Sequence, residues 1–266
     1  MNDMTEDRRF ATTLARGLSV LRAFRPSDDG LGNAEIAERT GLPKSTVSRL
    51  TFTLQTLGYL THGSHRDRYR PGPALLALGN VAGASIGFLE ICGPIMQRLA
   101  DTTGTLALLA MRDHDKVVLA KTWRPAGASS IWLEMGHRLP YRGTSSGLCL
   151  IGATSKDALA DLAADASRDA PMTLDEAREL RTAARQQLFA RGFVICDPDR
   201  YFTGNIHAVS TPFQPRDLQQ PVVFSCGALP VDLPVARMET EVGPALRAAV
   251  LELEQRLGMP PSPLPG

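Results

Sequence analysis

The chain has 266 residues, 43% hydrophobic and 21% charged, a globular composition that at roughly 150 residues per domain divides into two folded units. No apolar run reaches the roughly 18 residues a membrane span needs, and the opening residues lack the basic-then-apolar order of a secretory signal, so a membrane role is excluded and a cytoplasmic location expected. The net charge of +1 hides an uneven distribution: residues 1–86 hold 11 Lys and Arg against 8 Asp and Glu, and residues 39–72 hold 6 against 1, a local basic footprint of the kind that meets nucleic acid.

After a polar tail over 1–10, Leu14, Leu18, Leu21 and Phe24 recur at helical spacing and predict a helix over 12–25. Pro26 to Gly30 break it, and Asn33 is the expected N-cap of a short helix that contains Ala34, Ile36 and Ala37. Gly41 makes a turn, and Pro43 fits the first position of a third helix whose apolar face is Val47, Leu50, Leu54 and Leu57. At 100° per residue this leaves Ser45, Ser48, Arg49, Phe52 and Thr56 on the outward face, with Lys44 and Thr46 flanking its N-terminus. Gly58 ends the helix, and 59–61 and 66–70 read as a hairpin with a basic second strand, so residues 11–72 form a winged helix-turn-helix.

A linker helix is expected within 73–87 and an α+β domain over 88–258, followed by a proline-rich tail over 259–266. In that domain the patterns predict helices over 89–103, 145–164 and 174–191, the last opened by a capping box of Thr173 and Glu176. Strands are expected over 105–111, 117–123, 129–133, 193–196, 205–213 and 222–228, and Leu246, Val250, Leu253 and Leu257 mark a closing amphipathic helix. Cys92, Cys149, Cys196 and Cys226 lie too far apart for a zinc pattern and read as buried thiols, so neither a metal nor any other cofactor is expected.

The phrases Leu14-Ala15-Arg16-Gly17-Leu18-Ser19-Val20-Leu21, Ala34-Glu35-Ile36-Ala37 and Gly41-Leu42-Pro43-Lys44-Ser45-Thr46-Val47-Ser48-Arg49-Leu50, with Arg68-Tyr69-Arg70-Pro71-Gly72-Pro73 ending the wing, resemble the IclR family of bacterial regulators. The second half is similar to the GAF-like effector domain of that family, around Gly136-His137-Arg138-Leu139-Pro140 and the helix start Thr144-Ser145-Ser146-Gly147. Two stretches depart from the family pattern: Gly147-Leu148 stands for a Gly-Lys pair, and Phe224-Ser225-Cys226-Gly227 for Ser-Val-Ser-Gly. The resemblance implies dimers, often paired into tetramers, with the first helix and the linker helix as dimer surfaces.

Function follows as two expectations. Double-stranded operator DNA is met by Lys44, Ser45, Thr46, Ser48, Arg49, Arg66, Arg68 and Arg70. Arg49 is the candidate base reader, while Lys44, Thr46 and the wing arginines hold phosphates. A small organic acid is the expected effector: Thr144 caps a helix whose first amides, at Ser145 and Ser146, favour an anion. The resemblance adds His207, Phe224 and Cys226 to that pocket; Trp132, Met135, Leu148 and Val209 complete the candidate set, with Trp123 and Leu133 as further apolar walls. Phe224 in place of a small serine points to a flat, aromatic ligand. Two rival readings are an enzyme built on Cys196, Asp197 and His207, and a thiol sensor using Cys149 or Cys226. No nucleophile elbow, phosphate loop or dinucleotide fingerprint supports the former.

Overall fold

The computed structural model describes residues 9–62, 67–126, 131, 133–165, 171–197 and 201–260. The chain divides into two compact units, Met1–Ile86 and Gly87–Gly266.

In the first unit, α1 (Thr12–Arg22) stops short of residue 25 because Ala23 turns its N–H onto the Val20 carbonyl. The next helix, α2 (Asn33–Thr40), is capped by Gly32 rather than Asn33: the Gly32 N–H donates to the Glu35 carboxylate at 2.8 Å. Asn33 instead ties helices together, its carbonyl accepting from the Thr51 hydroxyl at 3.0 Å. Gly41, at φ 69°, supplies the left-handed turn into α3 (Lys44–Thr56), with Pro43 one position ahead of the helix. The core of this unit is Val20, Leu31, Ile36, Val47 and Leu60. Thr51 is also buried on α3, whereas Leu57 falls beyond the helix end and is exposed. Two short antiparallel strands, β1 (Leu60–His62) and β2 (Tyr69–Pro71), form the wing, and α4 (Pro73–Ala84) buries none of its residues.

The second unit is a six-stranded antiparallel sheet in the order β5-β4-β3-β8-β7-β6. The strands are β3 (Leu106–Asp113), β4 (Lys116–Trp123), β5 (Arg138–Leu139), β6 (Val194–Ile195), β7 (His207–Phe213) and β8 (Val222–Ala228). Strand alternation sorts the side chains. Phe213 and Phe224 turn toward Phe88 of α5 (Phe88–Thr103), ring centroids 5.1 and 6.3 Å away. Leu106, Leu108 and Val223 face the other way, into a core shared with α6 (Ser145–Ala153), α7 (Lys156–Ala164) and α8 (Leu174–Arg191). After α9 (Val235–Arg237) and a π-helical turn over Met238–Val242, α10 (Gly243–Arg256) packs beside α5.

The helix expected over 145–164 is two. Thr154 turns to an extended ψ of 137°, and the Ser155 hydroxyl caps α7 by accepting from the Ala158 N–H. Thr173 caps α8 as expected, but the Glu176 carboxylate pairs with Arg142 at 2.6 Å instead of closing the box. The strand expected over 129–133 lies partly outside the described residues; Ile131 and Leu133 belong to no strand, and Arg124 holds both carbonyls at 3.0 Å. Among the described residues, no single helix is long and apolar enough to cross a membrane.

Candidate functional site

The first surface is built by α3. Because Val47 and Thr51 are fully buried against the core, helical periodicity forces Lys44, Ser45, Ser48 and Arg49 outward, and all four are exposed; Thr46 is half-buried beside them. The face therefore presents two cations and two hydroxyls from the first two turns of a helix held by a left-handed glycine turn.

The wing arginines are placed differently. Arg68 reaches back over the loop before α2, donating to the Gly30 carbonyl at 2.8 Å and pairing with Glu35 at 3.0 Å, and Arg70 pairs with Asp29. Both pair with carboxylates of their own unit, Arg68 with Glu35 of α2 and Arg70 with Asp29 in the loop before it, and both side chains stay partly exposed. Arg39 does the same at the other end of that loop, with a bidentate grip on Asp28 at 2.6 and 2.9 Å that holds the Asp28 carboxyl below its ordinary value of 3.8. Arg66 lies outside the described residues.

The second surface is a cavity of about 250 Å³ in the sheet unit. Its floor is the sheet face carrying Leu108, Ala208 and Gly227; Ile131, Leu133, His137, Arg138 and Leu139 wall one side, and residues 201–206 supply Tyr201, Phe202, Thr203, Asn205 and Ile206. It opens onto the first turn of α6, where Thr144 accepts from the Gly147 N–H at 3.1 Å and donates to the Pro140 carbonyl at 2.8 Å. The Ser145 and Ser146 amides have no acceptor within the helix, as first-turn amides never do, and the helix dipole adds partial positive charge there. Gly147 is required by close approach: a Cβ there would overlap the Tyr141 carbonyl.

A buried knot of four serines anchors this turn to the sheet. Ser210 bonds Ser145 at 2.8 Å and Ser225 at 2.7 Å, and Ser146 meets Ser225 at 2.9 Å. Every hydroxyl in the knot has a partner, which fixes where the first-turn amides point. The Arg138 guanidinium in the wall is held by Asp113 at 2.6 Å and Asp115 at 3.2 Å, so it arrives already compensated.

Of the residues expected in the effector pocket, Thr144, Ser145, Ser146 and Leu133 line this cavity. Phe224, Cys226 and Val209 do not. They are fully buried, and strand alternation turns them toward the α5 and α10 side, one position out of step with Ser210, Ser225 and Gly227. Trp123 joins Phe224 there, its ring centroid 6.4 Å away. His207 also misses the cavity: its Nδ1 meets the Leu233 carbonyl at 2.9 Å and its ring stacks on Tyr201, so it bears on the wall through that residue. Met135 is exposed and outside the lining, Leu148 packs into the helical core, and Trp132 lies outside the described residues. The sequence reading missed Ser210, Ser225, Ala208 and Gly227, although period-two alternation from Ser225 would have gathered them.

All four cysteines are buried as thiols. Burial pushes the Cys92 and Cys226 thiols up to about 12 and Cys149 well above its ordinary value, the opposite of what a reactive thiolate needs. Among the described residues no group of His, Cys, Asp and Glu is arranged to hold a metal ion.

Family models cover most of the chain: the IclR helix-turn-helix domain matches residues 13–63, and the bacterial transcriptional regulator IclR C-terminal domain matches 83–254. The HTH-type transcriptional regulator TsaQ1/TsaQ2 of Comamonas testosteroni is 30% identical over 254 residues, 94% of this chain and 90% of the relative. The Pca regulon regulatory protein of Pseudomonas putida is 31% identical, over 95% of this chain and 81% of its own. A p-hydroxybenzoate hydroxylase transcriptional activator of Acinetobacter baylyi is 27% identical over 58% of this chain and 57% of its own. Among solved structures, an IclR family transcriptional regulator from Brucella abortus has a TM-score of 0.77 and 31% identity over 95% of this chain and 94% of its own. An IclR homologue from Microbacterium hydrocarbonoxydans complexed with 4-hydroxybenzoate shares the fold, with a TM-score of 0.69 and 21% identity over 92% of this chain and 99% of its own.

Proposed function

The chain belongs to the IclR family of bacterial transcriptional regulators, and from that premise we propose that it reads operator DNA as a dimer and answers to a small aromatic carboxylate. It is a transcriptional regulator, as its relatives are, and not an enzyme. The single observation that carries the effector reading is the cavity of about 250 Å³ that ends on the first turn of α6. An engineered cavity of about 150 Å³ already takes benzene, and pockets for drug-sized ligands start near 300 Å³. One ring bearing a carboxylate and a small substituent fits between those limits. The carboxylate belongs at the Ser145 and Ser146 amides, where donors with no helical acceptor and the helix dipole act together, and the ring against Leu108, Ala208 and Gly227. Size and lining replace Phe224 as the support for an aromatic ligand. The relative named for p-hydroxybenzoate hydroxylase supports the same class.

On DNA, α3 enters the major groove with its N-terminal half. Arg49 reads a guanine, a bidentate contact that discriminates by about 1–3 kcal/mol, and Ser45 and Ser48 reach base edges. Lys44 and Thr46 hold phosphates, as does Arg66 from the wing, while Arg68 and Arg70 keep the wing in place. One such module offers few contacts, so two-fold pairing on half-sites about 34–36 Å apart supplies the affinity. The apolar side chains Leu14 and Leu18 on α1 and Leu76, Leu78 and Val81 on α4, all more than half exposed, are the pairing surface. Paired dimers make the tetramer, and the assembly works in the cytoplasm. The ligand acts by preferring one of two arrangements of the DNA-binding units.

Calorimetry on the full chain tests the effector class. Benzoate or 4-hydroxybenzoate gives a saturable heat and glyoxylate and pyruvate give none. Clear heat with either two- or three-carbon acid and none with any benzoate contradicts the reading.

A further inference from the structure

The outward face of α3 is chemically divided. Its first two turns are polar and cationic through Lys44, Ser45, Ser48 and Arg49, but its third turn carries Phe52, 69% exposed. At 100° per residue Phe52 lies between the azimuths of Ser48 and Arg49, in the middle of the reading stripe. Its neighbours keep the surface around it apolar, because the Thr53 hydroxyl is turned onto the Arg49 carbonyl at 3.0 Å and the Thr56 hydroxyl onto the Phe52 carbonyl at 2.9 Å.

Among the described residues, nothing in the N-terminal core uses this ring. Val47 and Thr51 fill the inward face of α3, Leu50 and Leu54 flank them, and Phe52 is absent from the residues packed against that cluster. A single exposed apolar side chain is ordinary on a protein surface. One in the centre of a cationic DNA-reading face is not, since every other side chain there is suited to a polar or anionic partner. The major groove offers one apolar group on its base edges, the C5-methyl of thymine.

We infer that Phe52 reads a thymine methyl next to the base met by Arg49, a sequence-determining contact that rests on the DNA reading proposed above. The three-residue step from Arg49 to Phe52 rises about 4.5 Å along the helix, against a base-pair step of about 3.4 Å. The thymine therefore stands one to two base pairs from the guanine read by Arg49, in each half-site. Cytosine and deoxyuracil at that position lack the methyl and are disfavoured, the second without any change in hydrogen-bonding groups.

The test uses the full chain and a duplex selected by it from a randomised library. Each thymine is then replaced in turn by deoxyuracil, and anisotropy titrations at fixed salt compare the wild type with Phe52→Ala and Phe52→Leu. One thymine per half-site, within two base pairs of the guanine whose change Arg49→Ala no longer feels, loses about three- to five-fold in wild-type affinity when its methyl is removed. Phe52→Ala binds the thymine and deoxyuracil duplexes equally, and Phe52→Leu keeps part of the preference. A selected site with no thymine in that window, affinity blind to every methyl, or a methyl preference that survives in Phe52→Ala overturns the assignment. Failure of the wild type to select any duplex overturns the DNA reading itself, so the two failures are distinguishable.

Discussion

Single residues decide whether the cavity is a binding site or a packing gap. Ala208 lies half-buried on its floor, facing the open volume of the cavity. Ala208→Leu is expected to weaken aromatic-acid binding at least about ten-fold while the melting temperature stays within a few degrees, because the new side chain fills space the ligand needs instead of displacing core. Calorimetry paired with a thermal melt checks this, and unchanged binding shows that the ligand sits elsewhere. The thiols give a second prediction at this scale. With all four cysteines buried and three thiols held upward by desolvation, the native chain shows no rapidly reacting thiol toward a neutral aromatic disulfide at pH 7.5, and all four react after denaturation. A fast thiol in the native chain would reopen the sensor reading.

At the scale of elements, helices were more legible than strand faces. The outward stripe of α3 follows from Val47, Leu50 and Leu54 alone, because a 3.6-residue period with one apolar side leaves one possible surface. In β8 every residue is buried and in β7 four of seven are, so alternation names two faces and only the packing of α6 against Ser210 and Ser225 says which meets the cavity. Phe224 and Cys226 came from the family resemblance, whose Ser-Val-Ser-Gly pattern falls on Phe224-Ser225-Cys226-Gly227, and the register of β8 turns both away from the cavity. The break between α6 and α7 was hidden because neither Thr154 nor Ser155 is a helix breaker by composition. It arises from an extended ψ at Thr154 and a local cap bond, Ala158 N–H to the Ser155 hydroxyl, so the one sequence signal was Ser155 as an N-cap residue. The loop before α2 carries a testable pH signature. Asp28 gains its ionised form through Arg39, so this pair's stabilisation is fully present above the ordinary aspartate value of 3.8 and is lost as pH falls through the depressed one. Asp28→Asn is expected to melt earlier than wild type at pH 7 and to show the difference shrinking below about pH 4. A difference that grows on acidification reverses the sign and contradicts the pairing.

For the whole molecule, the two units have separate cores, and the proposed pairing of chains rests on α4. Leu76, Leu78 and Val81 of α4 remain more than half exposed in a helix that buries nothing, and they are the surface proposed for pairing. Leu76→Glu with Val81→Glu is expected to shift sedimentation toward the monomer and to cut duplex affinity by more than about ten-fold, since half-site contacts then act one at a time. A dimer that survives both changes moves the interface off α4. The central claim, that α3 reads DNA with its outward face, is tested most directly by anisotropy titration of the selected duplex with wild type and Arg49→Ala at one salt concentration. Arg49 is exposed and has no role in the core, so the account predicts an unchanged melting temperature with a loss of about ten-fold or more in affinity, concentrated on duplexes that carry the cognate guanine. Equal affinity of the two proteins for that duplex would contradict it.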